Sequence, residues 1–178
     1  MLSKGKDTYE QIIELKYDDK SLTTLAERKE QEEFTRNMFN MVEDLAYMVY
    51  ELNEYQDKAK EVIDSNPKGK KLAQKTYDAL EGLKKELVVT TGDNYVASAE
   101  PELRERMGNL YSGIASSYDR VSGAQKANYE LISEEWREAQ VKFAEIKNNE
   151  VAKLLSFMEK NEIGSLTIKS KEEFLDKD

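Results

Sequence analysis

The side chains that could do chemistry in this sequence are its carboxylates, tyrosines and lysines. Adjacent acids occur at Glu134 and Glu135, just before Trp136, and at Glu43 and Asp44. Paired carboxylates hydrolyse bonds when two acids face each other across a cleft with their pKa values pushed apart. Neighbouring positions on a helix diverge by about 100°, so these pairs read as solvated faces. A carboxylate-only metal site inside a bundle would be unusual without histidine. The chain has no histidine and no cysteine. That removes the usual general base, the Ser–His arrangement, thiolate chemistry, disulfides and the commonest zinc ligands. No metal and no cofactor are expected.

Tyrosine is frequent, at Tyr47, Tyr50, Tyr55, Tyr77, Tyr95, Tyr111, Tyr118 and Tyr129, joined by Trp136. Such rings can form a sugar or peptide platform. At helical spacing they more often seal a seam while the hydroxyl reaches water. Tyr95, with Asn94, falls in the polar stretch Gly92–Glu100 instead. These two are the candidate surface contacts, because loops carry function more often than seams do. Lys68, Lys70 and Lys71 follow Pro67 at an expected helix start. They read as a solvated helix end rather than a phosphate site.

The elements that must position these groups are helices. Glycine (8) and proline (2) are scarce, and charged residues make up 35% of the 178 positions, a composition typical of long amphipathic helices. Phe34, Met38, Met41, Leu45, Met48, Leu52, Tyr55, Ala59 and Val62 recur in alternating steps of four and three, the pattern of a sustained heptad seam. This first helix opens near Ser21 or Thr23 and ends before Pro67, which cannot extend it. A second helix spans about Pro67 to Thr90 through Leu72, Thr76, Ala79 or Leu80, Leu83 and Leu87. A third opens near Ala99–Glu102, with Pro101 in its first turn, and runs through Leu103, Met107, Leu110, Ile114 and Ser117 to Asp119. The fourth runs from Ala124 to Asn161 through Ile132, Trp136, Ala139, Phe143 and Ile146. There its seam slips by one position to Val151, Leu154 and Met158, as at a skip in a coiled coil. Gly164 is placed as its C-terminal cap.

Residues 1–20 follow a different period. From Asp7 to Tyr17 apolar and polar side chains alternate around Tyr9, Ile13, Leu15 and Tyr17, the pattern of a strand. A lone strand cannot satisfy its own hydrogen bonds, so residues 1–20 read as the remnant of an upstream β domain or an edge awaiting a partner. The bundle proper occupies 21–163. Residues 164–178 form a short strand, Ser165–Lys169, and a frayed tail. The expected fold is all-α: an antiparallel up-down four-helix bundle of two long and two shorter helices, with a small β ribbon where the termini meet. A three-helix bundle with the second and third helices end to end is the alternative.

The net charge of −9 disfavours nucleic acid and anionic membranes as partners. The longest apolar run, Leu45–Tyr50, is far too short to cross a bilayer.

Asp7-Thr-Tyr-Glu-Gln-Ile-Ile-Glu-Leu-Lys-Tyr-Asp18 resembles the closing strand of an immunoglobulin-like domain. A long helix then opens with Thr24-Leu25-Ala-Glu-Arg-Lys-Glu-Gln-Glu-Glu-Phe34, and Leu83–Thr91 precedes a polar loop and Leu103-x6-Leu110-Tyr111-x2-Ile114. This order is similar to the C-terminal helical region of large secreted bacterial proteins of the BNR-repeat, sialidase-like or sortilin-like propeller type, known as glycosyl hydrolases. The resemblance implies an exported or cell-envelope parent with a propeller upstream, to which any glycan chemistry would belong. None of that family's catalytic motifs falls on this chain. The expected role is a non-catalytic scaffold, docking or spacer domain, with a possible homodimer. The alternative is a free-standing secreted bundle that binds a partner or ligand.

Overall fold

A computed structural model describes residues 2–16, 18, 20–90 and 100–176. Two short strands, β1 (Leu2–Lys4) and β2 (Asp7–Tyr9), form an antiparallel hairpin in which Leu2 faces Tyr9 and Lys4 faces Asp7. The helices are α1 (Leu25–Ser65), α2 (Lys70–Leu87), α3 (Leu103–Ala115), α4 (Gly123–Ile146), α5 (Ala152–Lys160) and α6 (Lys171–Leu175), with a π-helical turn, Lys147–Val151, between α4 and α5. The chain is mostly helical.

Local chemistry sets the helix limits. Thr24 caps α1 through a reciprocal box, its hydroxyl accepting from the Glu27 amide while the Glu27 carboxylate accepts from the Thr24 amide at 2.8 Å. The cap is therefore Thr24 rather than Ser21 or Thr23, at the Thr-x-x-Glu spacing such boxes require. Ser122 and Gln125 cap α4 in the same way. At α3 the expected limits both move inward. Pro101 lies before the helix, whose last residue, Ala115, is four positions short of Asp119; Ser116 caps it, with its hydroxyl turned back to the Ser112 carbonyl at 2.6 Å. Short hydroxyl side chains compete for backbone groups in this manner.

The seam buries as its spacing predicts. Met38, Leu45, Leu52, Leu80, Leu87, Met107, Ile114 and Ile132 lie in one continuous core. A smaller cluster, Ala59, Val62, Ala73, Leu154 and Met158, closes the far end.

The helix order departs from the expected climb and return. Contacts between α1 and α4 advance in step, from Lys126 on Glu30 through Ser133 beside Met41 to Lys147 on Glu51. These two long helices run parallel. Going down the chain, α2 meets the upper part of α1 and α3 the lower part. Gln56 bonds Glu81, whereas Gln31 donates to the carbonyls of Ile114 and Ser117. The second and third helices thus follow one another down the same side rather than reversing between them. At about 1.5 Å per residue, the 18 residues of α2 and the 13 of α3 laid end to end still fit along the 41 of α1. Helix lengths alone fit either order, and the interhelical partners decide it.

Three further expectations are corrected. Of the strand expected over Asp7–Tyr17 only Asp7–Tyr9 forms, paired with Leu2–Lys4, and residues 10–16 have no regular structure. Ser165–Lys169 is not a strand, because Tyr47 and Tyr50 take the backbone groups of Lys169. The tail is not frayed over Lys171–Leu175, which is a capped helical turn.

The cap after α5 also lies earlier than Gly164. Ile163 donates to the Met158 carbonyl and Glu162 to that of Glu159, with Glu162 at φ 54°. This is a Schellman ending whose left-handed position, usually glycine, is held by a glutamate. A side chain there is strained, so Glu162→Gly is expected to stabilise the fold by about 0.5–1 kcal/mol, read as a raised midpoint in urea unfolding.

Candidate functional site

The densest set of interacting polar and aromatic groups sits where α1, the π turn and the C-terminal segment meet. Its origin is the slip in the seam. Five residues separate Ile146 from Val151, a step that would swing Val151 off the core face of a regular α-helix. The π turn accommodates the additional residue, and Val151 returns to the core. Such turns often mark functional positions.

Lys147 opens this turn. Its ammonium donates to Glu51 Oε1 at 2.7 Å and lies 5.1 Å from the Phe143 ring centre and 5.9 Å from that of Tyr55. Glu51 keeps only 12% of its side-chain surface exposed. Burial draws the Lys147 pKa down, but the bond to Glu51 and the nearby Tyr55 and Glu51 charges outweigh it and hold the pKa above its ordinary value. Burial raises the Tyr55 hydroxyl too, against the pull of Lys147, and raises Tyr47, with Glu51 adding to the effect. These shifts point away from reactivity. A nucleophilic lysine needs a depressed pKa; this one stays a cation, held in a carboxylate–aromatic clamp between parallel helices.

One turn further, Glu150 accepts from Lys75 through its carboxylate and from the buried Thr76 hydroxyl through its carbonyl. The turn is thereby tied to α2 as well. Below it the C-terminal segment runs back along α1. Tyr47 donates to the Lys169 carbonyl at 2.9 Å, the Lys169 amide donates to Tyr50, and Lys171 pairs with Asp44. Phe174 stacks on Tyr50 with ring centres 5.0 Å apart. Between this strap and α5 lies a cleft of about 430 Å³ lined by Tyr55, Leu155, Met158, Leu166 and Ile168 among others.

The sequence-derived candidates disperse. Tyr95 and Asn94 lie outside the described residues. Asp44 is taken by Lys171, Glu134 by Arg137 on its own helix, and Glu135 by Arg106 of α3, so the adjacent acids do not act as pairs. Lys68, Lys70 and Lys71 are exposed. Among the described residues no three acids gather as a metal site would require, and no helix is long and apolar enough to cross a membrane. Tyr55, Tyr77, Tyr111 and Tyr129 pack into seams, Tyr47 and Tyr50 serve the strap rather than a helix, and Tyr118 does not seal a seam but is 85% exposed. Sequence reasoning missed Lys147, Glu51 and the buried Gln56, whose amide donates to Glu81 and accepts from Lys84. The slip at Ile146–Val151 was the available signal for the first two. The second apolar feature is the arm of residues 10–16. Ile12 is 98% and Leu15 92% exposed, and nearby Leu22 is fully exposed.

No family model, curated protein or solved structure matches this chain.

Removing Asn148 turns the five-residue step into four and restores a regular seam. The deletion is expected to leave unfolding free energy within about 1 kcal/mol of the parent, with the π signature lost from the structure; a loss above about 3 kcal/mol would contradict this account. The clamp also sets an alkaline limb. Lys147, Tyr55 and Tyr47 all have folded pKa values above their unfolded ones, so their contribution is complete below pH of about 10 and is lost as pH rises through the folded values. Thermal melts between neutral and strongly alkaline pH should show that decline, and Lys147→Met should remove the lysine part of it while the burial-driven part of Tyr55 and Tyr47 stays.

Proposed function

We propose that this chain is a non-catalytic helical accessory module, serving as scaffold, docking element or spacer. It would lie at the C-terminal end of a larger exported protein of the propeller-type glycosyl-hydrolase-like kind that its element order resembles. The observation that carries this reading is the arm. Ile12, Ile13 and Leu15 project from a segment with no regular structure, beside a bundle whose own apolar seam is covered. Apolar side chains alternating with polar ones in an unpaired segment suit addition to the edge of a neighbouring sheet. The expected architecture is a rod that holds its β neighbour at one end, with α1 and α4 as the rigid members.

The chemistry of the clamp supports the same reading. Its groups are paired and tuned toward their resting charge states, which suits a structural joint and not acid–base turnover. A free-standing bundle that binds a partner is the second reading. The strap favours it, since Phe174 and Lys171 already close one face of α1.

The readings separate by amide exchange at residues 10–16. The comparison is between this chain and a polypeptide lengthened by the reading frame preceding Met1. Slowing by about a hundredfold in the longer protein is expected. Equal exchange in the two, or a stop codon in frame just upstream, would leave only the free-standing reading.

A further inference from the structure

We infer that the N-terminal arm is a homodimerisation strand, pairing antiparallel with the same segment of a second copy about a two-fold axis at Ile13. The inference rests on the docking reading of the arm and names its partner. Backbone pairing with β1 ends at Tyr9, so the chain beyond it has donors and acceptors free to join a ladder, as unpaired edges do. Its side chains are divided by parity. Tyr9, Ile13 and Leu15, with Gln11, lie on one side of an extended strand; Glu10, Glu14 and Lys16, with Ile12, lie on the other.

Self-pairing that keeps the apolar sides together allows only registers in which odd residues oppose odd ones. Electrostatics then separates the two central choices. Pairing about Ile12 would set Glu10 of each copy opposite Glu14 of the other, a like-charge contact made twice. Pairing about Ile13 sets Glu10 opposite Lys16, an attractive contact made twice, with Gln11 opposite Leu15. Directly opposed charges count in a ladder with either sign. Lys16 is now 3.5 Å from Glu14 in an exposed pair; such pairs are worth little, and Lys16 can keep that neighbour while facing Glu10 of the second copy.

The hairpin supplies the remaining strands. Each copy carries β1 beside Asp7–Tyr9, so a hairpin continues the paired arms at each end of the dimer sheet. A two-stranded ribbon alone is marginal, whereas three or more strands can be stable. The interface is isologous, as a closed dimer requires.

Two experiments on the full chain test this. In sedimentation velocity over a wide concentration range the parent should dimerise. Glu10→Lys or Lys16→Glu alone should weaken the dimer about tenfold, and the double swap Glu10→Lys with Lys16→Glu should restore it. Helical circular dichroism should not change, since these side chains make no contact with the bundle. The chain lacks cysteine, so an Ile13→Cys variant should cross-link to itself under mild oxidation faster than Ile12→Cys, because directly opposed residues lie within disulfide reach and diagonal ones do not. Preferential linking of Ile12→Cys would overturn the register. A monomer at every concentration would overturn the dimer. If the arm then became protected in the upstream-extended protein, the docking reading would survive; if it did not, both would fall.

Discussion

The constraint beneath this structure is the apolar stripe of α1, against which α2 and α3 pack while α4 rests mainly on those two. Met38, Leu45, Leu52, Ala59 and Val62 are fully buried along it. Helices α2 and α3 pack along its length in succession, and α4 follows in parallel. Burial of a leucine-sized side chain is worth about 1.5–3 kcal/mol, and a stripe of this length makes each helix stable only in the presence of the others. Short helices such as α3, with Gly108 and Gly113 in 13 residues, would not persist alone.

Running α1 and α4 in parallel has a cost that the polar contacts address. Parallel rods place like ends of their dipoles side by side, and here the long pair is held at intervals by Lys126–Glu30 and Lys147–Glu51. The first is half-exposed and contributes modestly. The second is shielded and flanked by aromatic rings, so its geometry is more tightly specified. The π turn is what aims Lys147 at Glu51 while keeping Val151 in the core. A skip in a repeat has thus become a joint connecting α1, α2 and α4.

The two ends of the chain behave in opposite ways. The C-terminal segment spends its apolar and hydrogen-bonding groups within the molecule, with Phe174 on Tyr50 and Lys169 between two phenols. The N-terminal arm leaves Ile12, Ile13 and Leu15 exposed. Its root is fixed nevertheless: Arg28 donates to Ser21 and Thr23 donates to the Tyr118 carbonyl at the end of α3. These bonds tie the start of α1 to the turn after α3 at the lower end of the bundle.

Much of this was legible in the residues themselves. Heptad spacing identified the four main helical segments and nearly all core positions, because burial on a helix repeats with its turn. Pro67 marked a break, and the irregular step after Ile146, read as a coiled-coil skip, falls where the π turn forms. What the residues could not determine was direction. Neither the lengths of α2 and α3 nor their seams distinguish a chain that reverses between them from one that continues, since a heptad stripe packs equally well against parallel or antiparallel neighbours. Only long-range partners such as Gln31 with Ile114 and Lys147 with Glu51 select the arrangement. The same holds for the ends. Alternation marked residues 9–17 and 165–169 as strand-like, yet a strand forms only where another backbone lies beside it. The second segment met two tyrosine hydroxyls instead, and the first met the short strand Leu2–Lys4 only as far as Tyr9.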